Sequence, residues 1–285
     1  MTPEPLALPG PGDRLAEEAA AVIRERSSLE PAVAVILGSG LGSVLDGLEE
    51  EAAFSYEGLA GFPPPSVPGH AGRLVLGTLA GTPVAGFLGR IHYYEGHPLS
   101  ASALPVRVAR LLGAEVLVLT ASVGALDPAL AAGTLVVGSD HINLLGDNPL
   151  RGWRGPDGTP PFVDLLDVYD ARLSELAVRE AERLGAPVAR GVYLAVPGPT
   201  YETPAEIEFM RRVGGTVVGM SVVPEALPAR ALGMRVLGLF SVTNVVGEEV
   251  DHLQVVRMGE RMSGVLGRLL EAIVPRAAGR PADAT

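Results

Sequence analysis

The sequence predicts an α/β protein: a single three-layer domain with a mixed, largely parallel central sheet flanked by helices. Three observations carry this. Strand-like and helix-like segments alternate along the chain, with no internal repeat and no polar linker. Several apolar runs are short and rich in valine and isoleucine, as in strands buried on both faces. Hydrophobic residues make up 47% of the 285 and charged residues 19%, which suffices for a substantial core.

Residues 1–12 read as a flexible, Pro-rich tail, and the domain spans 13–274. Asp13 to Arg26 suits a first helix. Ala32 to Leu37 is a continuous apolar run, hence a buried strand. Gly38-Ser39-Gly40-Leu41-Gly42 turns the chain, and a helix is expected to start there. Arg73 to Leu79 and Pro83 to Leu88 pair around the Ala80-Gly81-Thr82 turn. Leu104 to Leu112 suits a helix; Glu115 to Thr120 and Thr134 to Ser139 suit strands. Ala171 to Leu184 is an amphipathic helix, since Leu173, Leu176, Ala177, Ala181 and Leu184 keep three/four spacing. Gly185 and Pro187 end it. Val188 to Val196 is a strand, and Pro204 to Val213 is a helix with proline in its first turn. Strands at Thr216 to Met220 and Arg235 to Val242 enclose a helix from Pro224 to Leu232. His252 to Val274 is a long last helix, and 275–285 read as a second flexible tail.

Composition removes several chemistries. There is no cysteine, so disulfides, cysteine–metal sites and a thiol nucleophile are excluded. All 22 basic residues are arginine, which rules out Schiff-base catalysis and a P-loop lysine. The net charge of −11 and the lack of a basic stripe argue against nucleic acid. No apolar run approaches the ~20 residues that span a bilayer. The N-terminus lacks the basic start of a signal peptide, so a cytoplasmic location is expected. No His/Asp/Glu spacing fits a metal site.

The polar motifs follow apolar strands, after Leu37, Leu88, Leu119, Val196 and Val242. Ligands in such folds sit beyond the carboxyl ends of strands, so these motifs are expected to converge. The most informative is Gly89-Arg90-Ile91-His92-Tyr93-Tyr94-Glu95-Gly96-His97. In an extended segment Arg90, His92 and Tyr94 share one face. A guanidinium, an imidazole and a phenol suit a phosphate beside a sugar hydroxyl. The same row also fits a solvated edge strand. Gly38 to Gly42 fits an anion loop with Ser39 as donor, or a plain strand-to-helix turn. It lacks the third small residue of a dinucleotide fingerprint, since Ser43 stands there. His70, between glycines, reads as a loop imidazole. In Gly198-Pro199-Thr200-Tyr201-Glu202-Thr203-Pro204 an aromatic ring and a carboxylate can cover and bond a planar heterocycle. Glu202 can equally serve the helix N-terminus that follows. Ser221 can cap a helix or bind an anion. Asn244 brings both a donor and an acceptor.

Together the motifs resemble the trimeric purine nucleoside phosphorylase family, in the branch that also holds methylthioadenosine phosphorylases. The matching segments are Gly38-Ser39-Gly40-Leu41-Gly42, His70-Ala71-Gly72-Arg73, Gly89 to Gly96, Asp140-His141-Ile142-Asn143-Leu144, Gly198 to Thr203, Val218-Gly219-Met220-Ser221 and Thr243-Asn244. They fall in family order between about residues 30 and 270. The resemblance implies that Ser39, Arg90, His92 and Ser221 bind phosphate. It implies that Ser122 gives a backbone N–H and that His70 closes over the ion. Tyr94 and Met220 would hold the ribose, with His252 near its 5′-hydroxyl. Glu202 and Asn244 would read the purine, with Val218 and Tyr201 beside it, where the family usually has Phe at the Tyr201 position. Phe162 would reach into a neighbouring subunit of a homotrimer. Asn244, Glu202 and His92 would be the catalytic groups. Phosphate would be a co-substrate, and no cofactor or metal is expected.

One segment departs from the family. Ala121-Ser122-Val123-Gly124-Ala125 stands where Asn-Ala-Ala-Gly-Gly is common, so an amide is lost and Ala125 restricts the backbone. The implied reaction is phosphorolysis of 6-oxopurine nucleosides such as inosine and guanosine, giving free base and (deoxy)ribose 1-phosphate. Methylthioadenosine phosphorolysis is the alternative, although Tyr94 and His252 suit ribose hydroxyls better than a thioether. A non-catalytic nucleoside-binding protein is a third reading.

Overall fold

Val33–Ile36 (β1) is buried at every position because it lies between two parallel neighbours. These are Thr82–Leu88 (β4) and Val116–Ala125 (β5). The computed structural model describes residues 10, 13–64, 66, 70–155, 157–248 and 252–279, with only the backbone at 252. The expectations for residues 1–9, 11, 12 and 280–285, and for the His252 side chain, therefore fall outside the described residues.

Side chains of β1 alternate between two cores, as period two requires. Ala34 and Ile36 face one cluster, built with Asp13–Arg24 (α1), Leu104–Leu112 (α2) and Val223–Ala231 (α5). Val33 and Val35 face the other, built with Ala171–Arg183 (α3) and His252–Ala277 (α6). This gives the three layers. Pro204–Arg212 (α4) packs through Ile207 and Met210 on a smaller third cluster.

The described strands run in the order β2-β3-β4-β1-β5-β8-β7-β6-β9, where β2 is Glu49–Ser55, β3 Arg73–Leu79, β6 Leu135–Asn143, β7 Val188–Ala195, β8 Val217–Gly219 and β9 Arg235–Val245. Five of the nine pairings are parallel. β9 also pairs with β5, so β5, β8, β7, β6 and β9 close into a ring.

The differences from expectation have local causes. β2 has no apolar run, because it is an edge strand with exposed glutamates. β5 continues beyond Thr120 to Ala125 because β9 runs alongside and β8 pairs at Gly124 and Ala125. Ala121 and Ala125 are therefore buried strand residues here. The helix expected after the glycine turn is a four-residue 3-10 turn, Gly42–Leu45, too short for a helix dipole to hold an anion. The last helix runs to Ala277, which is buried, so the helix continues three residues past the expected end at 274, with Pro275 and Arg276 on its exposed face.

Candidate active site

The glycine turn at the end of β1 is shaped by close packing. Gly40 has φ +74°, and a Cβ there would strike the carbonyl of Val256 in α6. This tight turn presents Ser39, whose Oγ lies 2.9 Å from His70 Nε2. The Arg90 backbone N–H donates to His70 Nδ1 at 3.0 Å, so Nε2 carries the hydrogen and donates to Ser39. Ser122, at the end of β5, donates its hydroxyl to the Ser39 carbonyl at 2.9 Å. Its side chain thus braces the turn, a role additional to the backbone one expected of it.

Arg90 follows β4 and is only 2% exposed. Its Nε donates to Glu225 of α5 at 2.8 Å, and Nη1 donates to the Thr120 carbonyl at 2.7 Å and to Ser221 Oγ at 3.3 Å. Nη2 has no partner among the described residues, although it is buried. A buried guanidinium edge with unmet N–H groups is costly unless an acceptor meets it. Arg90 lines a cavity together with Ser39, His92, Ser122 and Ser221. The unmet guanidinium edge and the Ser39 and Ser221 hydroxyls are donors that fit an oxyanion.

Tyr193 of β7 fixes Ser221. Its hydroxyl oxygen accepts the Ser221 backbone N–H at 3.1 Å and lies 3.4 Å from Ser221 Oγ. Burial pushes the Tyr193 phenol up to about 12, so it stays protonated.

The row Arg90, His92, Tyr94 is not an extended strand. Tyr93–Glu95 is a 3-10 turn with His92 before it. The tight turn stacks the His92 and Tyr94 rings with centroids 4.7 Å apart. Both still line the cavity. Glu95 accepts the His92 backbone N–H at 2.7 Å, and its Oε1 lies 3.3 Å from His92 Nδ1. Burial lowers the His92 imidazole below its ordinary value, so the ring is neutral near pH 7. Hydrogen bonds from His92 and Ser66 hold the Glu95 carboxyl far below the usual carboxylate range against the opposing effect of burial. A carboxylate only accepts, so the neutral ring carries its hydrogen on Nδ1. Its Nε2 is then an acceptor.

At the other end of the cavity lie Tyr201, Glu202, Val218, Met220 and Asn244. The loop carrying Tyr201 and Glu202 approaches Met220 closely. Gly198, at φ +64°, leaves no room for a Cβ against Met220 Sδ. Burial raises the Glu202 carboxyl above its ordinary value of 4.5. Thr243 Oγ1 lies 3.0 Å from Asn244 Oδ1 and 3.2 Å from the Val123 carbonyl, sharing its proton between them. With Oδ1 so engaged, the Asn244 amide nitrogen is the group left to donate.

The structure thus gathers Ser39, Arg90, His92, Tyr94, Ser122, Tyr201, Glu202, Val218, Met220, Ser221 and Asn244 around one cavity. His70 stands behind Ser39, its ring centroid 5.1 Å from that of His92. Phe162 is outside the cavity and 94% exposed, with Leu166 90% exposed nearby in sequence. Glu225, Tyr193 and Glu95 are the residues that sequence reasoning missed. Only Glu95 left a signal, the three-residue spacing from His92 that a capping box uses.

A family model described as "Phosphorylase superfamily" matches residues 32–275. The chain belongs to this superfamily, on the branch of the purine nucleoside phosphorylases, which are pentosyltransferases. It is 42% identical to purine nucleoside phosphorylase 1 of Bacillus subtilis over 92% of this chain and 98% of that protein. It is also 42% identical to the purine nucleoside phosphorylase of Mycobacterium tuberculosis, over 93% and 97%. A Schistosoma purine nucleoside phosphorylase solved with hypoxanthine superposes with a TM-score of 0.84 at 35% identity, covering 92% of this chain and 96% of that one. Structures of the Schistosoma enzyme with adenosine and with guanosine superpose with a TM-score of 0.83. Among the described residues no helix is long and apolar enough to cross a membrane.

Proposed function

We propose that this chain catalyses reversible phosphorolysis of 6-oxopurine nucleosides, releasing hypoxanthine or guanine and (deoxy)ribose 1-phosphate. The observation that carries the reading is the unpartnered, buried Nη2 edge of Arg90 beside Ser39, His92 and Ser221. Phosphate is the co-substrate, received by that edge and the two hydroxyls. His92 Nε2, an acceptor, receives a hydrogen bond from the O–H that a hydrogen phosphate dianion still carries. The phosphate then lies under the anomeric carbon. The glycosidic bond opens ahead of attack, and the anion stabilises the cationic sugar. Positioning and electrostatics supply the catalysis, with no covalent enzyme intermediate.

The leaving base needs hydrogen-bond help. The Asn244 amide donates toward N7, and Glu202 accepts N1–H of a 6-oxopurine. Adenine has a bare N1, which faces a carboxylate as acceptor against acceptor. A buried mismatch of this kind costs roughly 1–3 kcal/mol. Tyr94 and Met220 contact the ribose. Exposure of Phe162 and Leu166 supports a homotrimer in which this segment covers a neighbour's site.

The test is base release from inosine, guanosine, adenosine and methylthioadenosine, each with and without phosphate. Phosphate-dependent release from inosine and guanosine, well above adenosine, is expected. Preference for methylthioadenosine would replace this reading, and nucleoside binding without turnover would refute it.

A further inference from the structure

The buried carboxylate of Glu225 is unused by the chemistry above. It comes from α5, a helix buried nearly all round, and is 2% exposed. Its Oε1 accepts from Arg90 Nε at 2.8 Å, while Oε2 has no partner among the described residues. Arg90 is the one cationic side chain among the described residues that line this cavity. The guanidinium is also held by the Thr120 carbonyl and Ser221 Oγ, so its place does not depend on Glu225 alone.

We propose that Glu225 is the internal counter-ion that neutralises Arg90 and thereby limits phosphate affinity. The inference rests on phosphate being the ion met by Arg90 Nη2. A buried arginine left unpaired destabilises the fold strongly, because its charge has lost water and gained nothing. Glu225 removes that penalty when phosphate is absent. The same negative charge repels an incoming dianion at short range in a poorly solvated site. The phosphate end therefore binds through N–H and O–H dipoles around a neutral ion pair. Both consequences suit turnover: the site keeps its shape while unliganded, and the phosphorylated sugar is free to leave.

Glu225→Gln tests this, since it keeps size and an acceptor oxygen while removing the charge. The phosphate KM for inosine phosphorolysis is expected to fall about tenfold, equivalent to about 1.4 kcal/mol, with the inosine KM within about twofold. Phosphate is expected to raise the thermal unfolding midpoint more in the variant than in the wild type, a readout independent of turnover. Glu225→Asp, which restores the charge, is expected to bring the phosphate KM back toward wild type. An unchanged or raised phosphate KM, a parallel rise in both KM values, or a Glu225→Gln chain that stays unfolded in saturating phosphate overturns the proposal. A wild type that releases base without phosphate refutes the underlying reading instead.

Discussion

At one end of the cavity Arg90, 2% exposed, is tied to Thr120 and Ser221 and to the equally buried Glu225. At the other end Tyr201 is 49% exposed, and Glu202 is only partly buried. The phosphate end is made of side chains bonded to one another across long sequence separations. The other end combines the Tyr201-Glu202 loop with Val218 of β8, Met220 just after it and Asn244 near the end of β9. Changes at the first end should cost folding and activity together. Changes at the second should redistribute activity among substrates with little loss of stability.

The largest expected effect follows from breaking the ion pair. Arg90→Met leaves Glu225 buried and uncompensated, at a stability cost on the order of 3–5 kcal/mol. Replacing both with methionine should recover most of that stability, measured by denaturant unfolding, and none of the phosphorolysis. If the single variant is as stable as the wild type, the contrast between the two ends fails.

At the base end, Asn244→Asp replaces an amide donor with a carboxylate that can accept from adenine's 6-amino group and faces the 6-oxo group as acceptor against acceptor, so preference should shift toward adenosine by roughly ten- to a hundredfold, the equivalent of one buried mismatch of about 1–3 kcal/mol. Unfolding should barely move. Unchanged relative kcat/KM values for adenosine and inosine would show that Asn244 does not read the base.

The pH responses of the two ends also differ. Burial raises Glu202, so its protonated form, which can donate to adenine N1, gains population as pH falls toward and below its raised value. The adenosine-to-inosine ratio of kcat/KM should rise toward acid in the wild type and be flat in Glu202→Gln. His92 is lowered by burial, so the unfolded chain binds its proton more readily than the folded one. Its contribution to stability is present above the ordinary imidazole value of 6.5 and is lost as pH falls below it. Unfolding measured against pH should therefore fall less steeply on the acid side in His92→Gln. The smallest effect is expected for Ser122→Ala, which removes the bond to the Ser39 carbonyl, at about 1 kcal/mol.

The same contrast explains what could be read from the sequence. Base-end residues sit in short motifs, Tyr201-Glu202 and Thr243-Asn244, that are visible locally but gain a meaning only when taken together with the other motifs, since Glu202 alone equally suits a helix start. The strands were legible from apolar runs, except β2, whose exposed Glu49 and Glu50 belong to an edge. The extent of β5 was not, because its last turn is fixed by β8 and β9 rather than by its own propensity. Glu225 and Tyr193 were illegible for the same reason: Glu225 lies 135 residues from Arg90, and Tyr193 lies 28 from Ser221. Nothing local in Val223-Pro224-Glu225 marks a counter-ion. Tyr94 lines the same cavity as His92, but through a 3-10 turn and not the extended strand that was expected.

Calorimetric titration of nucleoside-free protein with inorganic phosphate tests the central claim most directly. An end wired in advance should bind phosphate saturably without nucleoside in the wild type, and the Arg90→Met/Glu225→Met double variant should show no such binding. Equal affinity in both proteins, or wild-type binding that appears only after inosine is added, would contradict the account.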